Sequence, residues 1–152
     1  MSVSDPEHAL AGLRLAIYRF FVEHQRAPSL DDLASVCGWP YASVADACEA
    51  LDREHVIVLD RWTRELRMAM PFSAVPTAFR TTIGERSWWA NCAWDALGIA
   101  AMLGADATVR SHCPGTREPL TLAVHGGEVA DADAVVHFLL PARGWWHEIE
   151  FT

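Results

Sequence analysis

Trp88-Trp89-Ala90-Asn91-Cys92-Ala93-Trp94-Asp95-Ala96-Leu97-Gly98-Ile99-Ala100-Ala101-Met102-Leu103-Gly104 is the stretch on which the reading of this chain turns. After Asn91 it is apolar, alanine-rich and free of proline, which predicts a buried helix in which positions three apart share a face. Cys92 and Asp95 have that spacing, so a thiol and a carboxylate are expected to project into one pocket. In apolar, tryptophan-rich surroundings such a pair offers a soft sulfur nucleophile or metal ligand beside a proton donor or acceptor, each with a movable pKa.

Downstream of this helix lie three strand-like runs, Ala107 to Ser111, Leu120 to Val124 and Val135 to Leu140. Pro114-Gly115-Thr116 separates the first two, and Gly126-Gly127 with an acidic turn separates the last two. The second half is therefore expected to be α+β, an apolar helix against an antiparallel sheet. Upstream, Pro71 to Thr81 carries Pro71, Pro76 and small polar residues that break any periodicity, and it reads as a linker.

Before that segment, apolar residues between His8 and His24 fall close to helical spacing. Ser29 reads as the N-cap of a second helix, with Asp31 and Asp32 in its first turn and Gly38 beyond its last residue, Cys37. A third helix starts at Tyr41 or Ser43 and runs through Leu51 to His55. Val56 to Leu59 and Leu66 to Met70 are two short strands around the polar turn Asp60 to Glu65. Three short helices followed by a strand pair is the winged-helix arrangement. The organisation predicted is thus a winged-helix-like three-helix domain over 1–70, a linker over 71–81, and an α+β domain over 82–152.

DNA binding fits this sequence poorly. The third helix carries Asp46, Glu49, Asp52 and Glu54 against Arg53, and the whole chain has a formal net charge of -8, whereas phosphate neutralisation needs a concentrated basic surface. No run of about 18 apolar residues is present to cross a membrane, and Met1 to Glu7 is polar and acidic where a signal peptide would be basic and then apolar. The expectation is a cytoplasmic protein. Its four cysteines, Cys37, Cys48, Cys92 and Cys113, show no CxxC spacing, and are expected to be free thiols.

Asn91-Cys92-Ala93-Trp94-Asp95-Ala96-Leu97, followed by Ser111-His112-Cys113-Pro114-Gly115-Thr116 and Pro119 to Val124, resembles the organomercurial (alkylmercury) lyase family. The likeness runs from about Leu30 to Thr152 and is most specific in the Cys92 helix and the Ser-His-Cys strand. It implies a winged-helix-like domain preceding an α+β catalytic domain. It further implies that Cys92 takes the mercury of an organomercurial as a thiolate, that Asp95 handles the proton delivered to the departing carbon, that Cys113 is structural, and that no organic cofactor takes part. The family also has a second reactive cysteine, placed shortly after the segment that reads Val135 to Pro141 here. Trp145 to Thr152 align up to that point, so the chain is expected to stop short of it. Mercury(II) is soft and favours two thiolates, and on Cys92 alone carbon–mercury protonolysis should be slow unless an external thiol supplies the second sulfur.

Blander readings stand beside these. A cysteine three residues from an aspartate on an apolar helix is commonly a small core residue. Cys37 and Cys48 read as core positions, and His125, His137 and His147 receive no role. Trp88, Trp89, Trp145 and Trp146 either wall a pocket for an alkyl or aryl group or fill the core. The alternative to a lyase is a non-catalytic protein that binds or senses a mercurial or another small molecule on the same scaffold. A third alternative is a winged-helix transcription factor with a ligand-sensing second domain. Exposed apolar surface would favour a homodimer.

Overall fold

The structure is a computed structural model that describes residues 6–130, 133–138, 140–147 and 149. The chain divides into two compact units, Met1–Pro76 and Thr77–Thr152.

The first unit opens with three helices, α1 (Pro6–His24), α2 (Leu30–Cys37) and α3 (Tyr41–Arg53). In α1, Leu13, Ile17, Phe20 and Phe21 form one buried stripe, and Val44, Cys48 and Leu51 do the same on α3. These are the i, i+4, i+7 spacings that bring apolar side chains to a single helix face. The helices are followed by an antiparallel run of short strands, β1 (Val58–Leu59), β2 (Leu66–Ala69) and β3 (Phe72–Ser73). Phe72 stacks on Phe21 with ring centroids 5.0 Å apart, and the Tyr18 hydroxyl donates to the Met70 carbonyl at 2.8 Å, so the strands close the core that the helices begin. Between β1 and β2 the Asp60 carboxylate accepts the backbone N–H groups of Trp62 and Thr63, a side-chain-capped turn.

The second unit is a five-stranded antiparallel sheet with one helix laid across it. In space the strands run β5 (Arg86–Ala90), β4 (Phe79–Ile83), β6 (Ala107–His112), β7 (Pro119–His125) and β8 (Glu128–Ala130). Because β5 and β6 both pair antiparallel with β4, they are parallel to each other, and two parallel strands need a crossover connection. That connection is α4 (Ala93–Leu103), which packs on β4, β5 and β6. Ala96, Ile99 and Ala100 face the sheet, and the buried Thr81 hydroxyl of β4 donates to the Ala96 carbonyl at 2.7 Å, pinning the helix to the central strand. The β7–β8 hairpin turns on Gly126 and Gly127, with φ of 59° and 86°. Two successive positive φ values are what a two-residue hairpin turn asks for and what glycine supplies.

Several expectations need correction. The segment 71–81 is not a linker: it contains β3 and the start of β4, and the division between units falls at Pro76/Thr77. Short strands flanked by prolines lack the length for alternation to show, and their pairing is decided by partners distant in sequence. Trp88-Trp89 belongs to strand β5, for which the sequence carries only a weak strand pattern. Of the run Val135 to Leu140, residues 135–138 form no strand, Leu139 lies outside the described residues, and Val135 is 91% exposed; the strand that follows the Gly-Gly turn is instead β8. Glu148 and residues 150–152, in the terminal stretch carrying the family likeness, also lie outside the described residues. Among the described residues no helix is long and apolar enough to cross a membrane.

Candidate functional site

The site is built at the point where β5 gives way to α4. The helix begins at Ala93, one residue later than a shared helix face for Cys92 and Asp95 requires: Cys92 is the N-cap, extended at φ -148° and ψ -179°, and Asp95 is the third helical residue. The two still meet, through end geometry. At a helix start the N-cap side chain turns back toward the N–H groups of the first turn, and the side chain three residues on lies beside it. The Cys92 Sγ accepts the Asp95 N–H at 3.5 Å, and the Trp94 N–H also points at the sulfur. The Cys92 thiol and the Asp95 carboxylate thus sit side by side at the helix start, each influencing the other's proton.

Both residues are half-buried, and burial dominates their electrostatics. It pushes the Asp95 carboxyl above the ordinary carboxylate range; the amide of Asn91, donating to Oδ2 at 3.0 Å, and the Cys92 thiol offset this only in part. Burial also pushes the Cys92 thiol up, and the adjacent Asp95 charge adds to the rise, against the two backbone N–H groups that favour a thiolate. Both shifts favour the protonated form, on the sulfur and on the oxygen beside it.

Asn91 is a site residue that the sequence reading quoted without giving it a task. Its signal was a side-chain amide four residues before a carboxylate at a helix start. Beneath the helix start lies an apolar cavity of about 30 Å³, walled by Phe79, Ala93, Leu97, Val109, Leu122 and Val136. It is about large enough for one water or one methyl group, and it begins at the residue next to Cys92. Of the two readings of the tryptophans, the core one holds for Trp88, while Trp89 lies under the Arg80 guanidinium, the Trp145 indole N–H donates to the Leu140 carbonyl, and none of these three lines the cavity.

Cys113 closes β6 in a tight turn, where the N–H groups of Gly115 and Thr116 and the Thr116 hydroxyl hold its thiol below the ordinary value. Cys37 and Cys48 belong to the first unit. His125 forms an exposed pair with Asp106 at 3.1 Å. Among the described residues no group of three or more His, Cys, Asp or Glu side chains is placed to hold a metal ion.

The sequence profile of the MerB alkylmercury lyases matches residues 72–152, just over half the chain and all of the unit that carries Cys92 and Asp95. The chain belongs to the alkylmercury lyase family. Individual members are similar at a distance: the alkylmercury lyases of Bacillus cereus and Clostridium butyricum are each 27% identical over 116 residues, which is 74% of this chain and 51% of theirs. The chain thus spans about half the length of these relatives. Among solved structures, the mercury-bound form of MerB2 superposes with a TM-score of 0.60 at 27% identity, over 82% of this chain and 63% of that one. The α+β architecture is therefore shared with MerB2, whose crystal structure is of a mercury-bound form.

Proposed function

We propose that this protein cleaves carbon–mercury bonds by protonolysis, with Cys92 binding the mercury of an organomercurial and Asp95 handling the proton. The observation that carries the proposal is the half-buried Cys92–Asp95 pair at the start of α4, joined by the Asp95 N–H donating to the Cys92 sulfur, in the unit matched by the family profile. In the first step the sulfur attacks mercury, a sulfur–mercury bond forms, the ligand that accompanied the mercurial departs, and the thiol proton passes to Asp95. In the second step the protonated carboxyl gives that proton to the carbon, the carbon–mercury electron pair becomes the new carbon–hydrogen bond, and Hg²⁺ remains on the thiolate. A carboxyl with a raised pKa suits this task, because it retains its proton nearer neutral pH and then delivers it to a strongly basic carbon.

An external thiol stands in for a second sulfur and removes Hg²⁺, and in the assay a solution thiol plays this part. The small apolar cavity beside Ala93 receives part of the departing hydrocarbon. The first unit is read as a winged-helix-like domain that precedes the catalytic one. The test is release of hydrocarbon: purified protein with excess thiol and a phenylmercury salt should liberate benzene well above a Cys92→Ser control. If benzene release equals that control, the lyase reading fails. Binding of one mercurial per chain that depends on Cys92 and leaves the carbon–mercury bond whole would then assign the scaffold to capture or sensing.

A further inference from the structure

The corner between β5 and α4 carries a third polar side chain beside Cys92 and Asp95. Asn91 lies between Ala90, the last residue of β5, and Cys92, the N-cap of α4. Its amide nitrogen Nδ2 donates to Asp95 Oδ2 at 3.0 Å. The backbone on both sides is tied down: the Thr77 hydroxyl donates to the Ala90 carbonyl at 2.5 Å, the Ala96 N–H donates to the Cys92 carbonyl at 3.0 Å, and the Thr81 hydroxyl holds the Ala96 carbonyl. Ala90 and Ala96 are fully buried. The amide is thus presented to Asp95 from a fixed corner of strand and helix, the kind of support that holds a reacting group in one geometry.

Which oxygen the amide holds has a chemical consequence. An amide N–H donates and does not accept, so the oxygen it grips is best left bare, and a proton on the carboxyl belongs on the other oxygen. Rotation about the Cβ–Cγ bond of Asp95, which would exchange the two oxygens, breaks the hydrogen bond to Asn91. We propose that Asn91 is a positioning residue of the Cys92–Asp95 site: its amide anchors Asp95 Oδ2 and thereby makes Oδ1 the oxygen that delivers the proton to the departing carbon. This rests on the lyase reading given above. The two steps of that reaction differ in their need for Asn91. Sulfur takes mercury whatever the orientation of the carboxyl, because the thiol proton can also leave to water. In the second step the Oδ1–H bond breaks, the carbon–mercury electron pair takes up the proton to become the carbon–hydrogen bond, and the carboxylate is left as the anion. That transfer needs an aligned O–H group.

The experiment separates those steps in the full chain. Uptake of a phenylmercury salt is followed as the Cys92-dependent loss of titratable thiol, and benzene release as a single turnover after excess thiol is added. Asn91→Leu keeps the side-chain size and removes the donor; Asn91→Ala takes its place if the leucine chain loses the far-ultraviolet circular dichroism of the wild type. Benzene release should slow by about 10- to 100-fold, the scale of a misplaced reacting group, while Cys92-dependent uptake keeps its wild-type rate. In an Asp95→Asn chain, which has no carboxyl proton to orient, adding Asn91→Leu should slow the residual release no further. Release by Asn91→Leu equal to that of the wild type overturns the proposal and leaves the lyase reading standing. A fall in uptake as large as the fall in release, or an equal cost with and without the Asp95 carboxyl, also overturns it, because either marks a side chain that only supports the fold. Wild-type release no higher than that of Cys92→Ser ends the lyase reading and this proposal with it.

Discussion

The N-termini of α2 and α4 are built on one template and finished differently. Each has a capping side chain followed three residues later by an aspartate: Ser29 and Asp32 in α2, Cys92 and Asp95 in α4. In α2 every group is satisfied. The Asp32 N–H donates to Ser29 Oγ at 3.1 Å, and the Asp32 carboxylate accepts from the Ser29 N–H at 2.9 Å and from Arg26 at 2.7 Å. In α4 a sulfur replaces the hydroxyl, the bond to it is 3.5 Å long, and the carboxylate accepts from Asn91 with no ion pair to it among the described residues. The Arg26 guanidinium and Ser29 hold the Asp32 carboxyl well below the ordinary range, while burial holds Asp95 above it. Of two geometrically alike helix starts, the first is spent on stability and the second leaves a proton and a sulfur available for chemistry.

The contrast is open to direct attack. Cys92→Ser should abolish hydrocarbon release, a loss on the order of 1000-fold or more, because the group that binds mercury is gone. The same substitution places a better capping atom at α4 and should raise stability by roughly 0.5–1 kcal/mol in denaturant titration. Loss of both activity and stability would break the comparison.

Asp95→Asn should lower turnover by about 100-fold or more, the usual scale for a removed proton-transfer group. Its effect on stability carries a sign that can be worked out. Since the folded-state carboxyl is raised, the native protein binds more protons than the unfolded chain between the ordinary and the raised value, and wild-type stability falls as pH climbs through that window. The variant has no such carboxyl, so its melting temperature should exceed that of the wild type at pH 7, with the difference shrinking toward pH 4. A difference that does not change with pH would count against the burial argument.

Asp32→Asn should do the reverse. A depressed carboxyl stabilises the fold fully above the ordinary carboxylate range, and this contribution is lost progressively as pH falls from that range down through the depressed value, so the variant should lose melting temperature at pH 7 and progressively less as pH drops below the ordinary carboxylate range. Ser29→Ala is the mildest of the four, costing about 1 kcal/mol with no change in benzene release.

Much of this was legible in advance, and the successes and failures separate by the range of the interactions involved. The Ser29 cap, the Asp31-Asp32 first turn and the Gly38 stop were readable because each acts over three or four residues. The Cys92–Asp95 contact was foreseen for a slightly wrong reason, since composition cannot show where an alanine-rich helix begins. Strands β3, β4 and β5 went unseen because Phe72-Ser73 is too short for a pattern, and Arg86-Ser87-Trp88-Trp89-Ala90 alternates only weakly. The apolar run Val135 to Leu140 looked more like a strand than any of them, yet residues 135–138 pair with nothing regular.

The sequence by itself determined the helices and their caps, the class of the second half, and the pairing of a thiol with a carboxylate at a spacing characteristic of one family, since all of these rest on contacts between near neighbours in the chain. Only the tertiary structure decided that Cys92 caps α4 where it had been expected to lie within it, that Asn91 steadies Asp95, and that burial shifts both protons. Burial and desolvation are set by what the sheet and helix bring from positions far along the chain, and no local stretch records them.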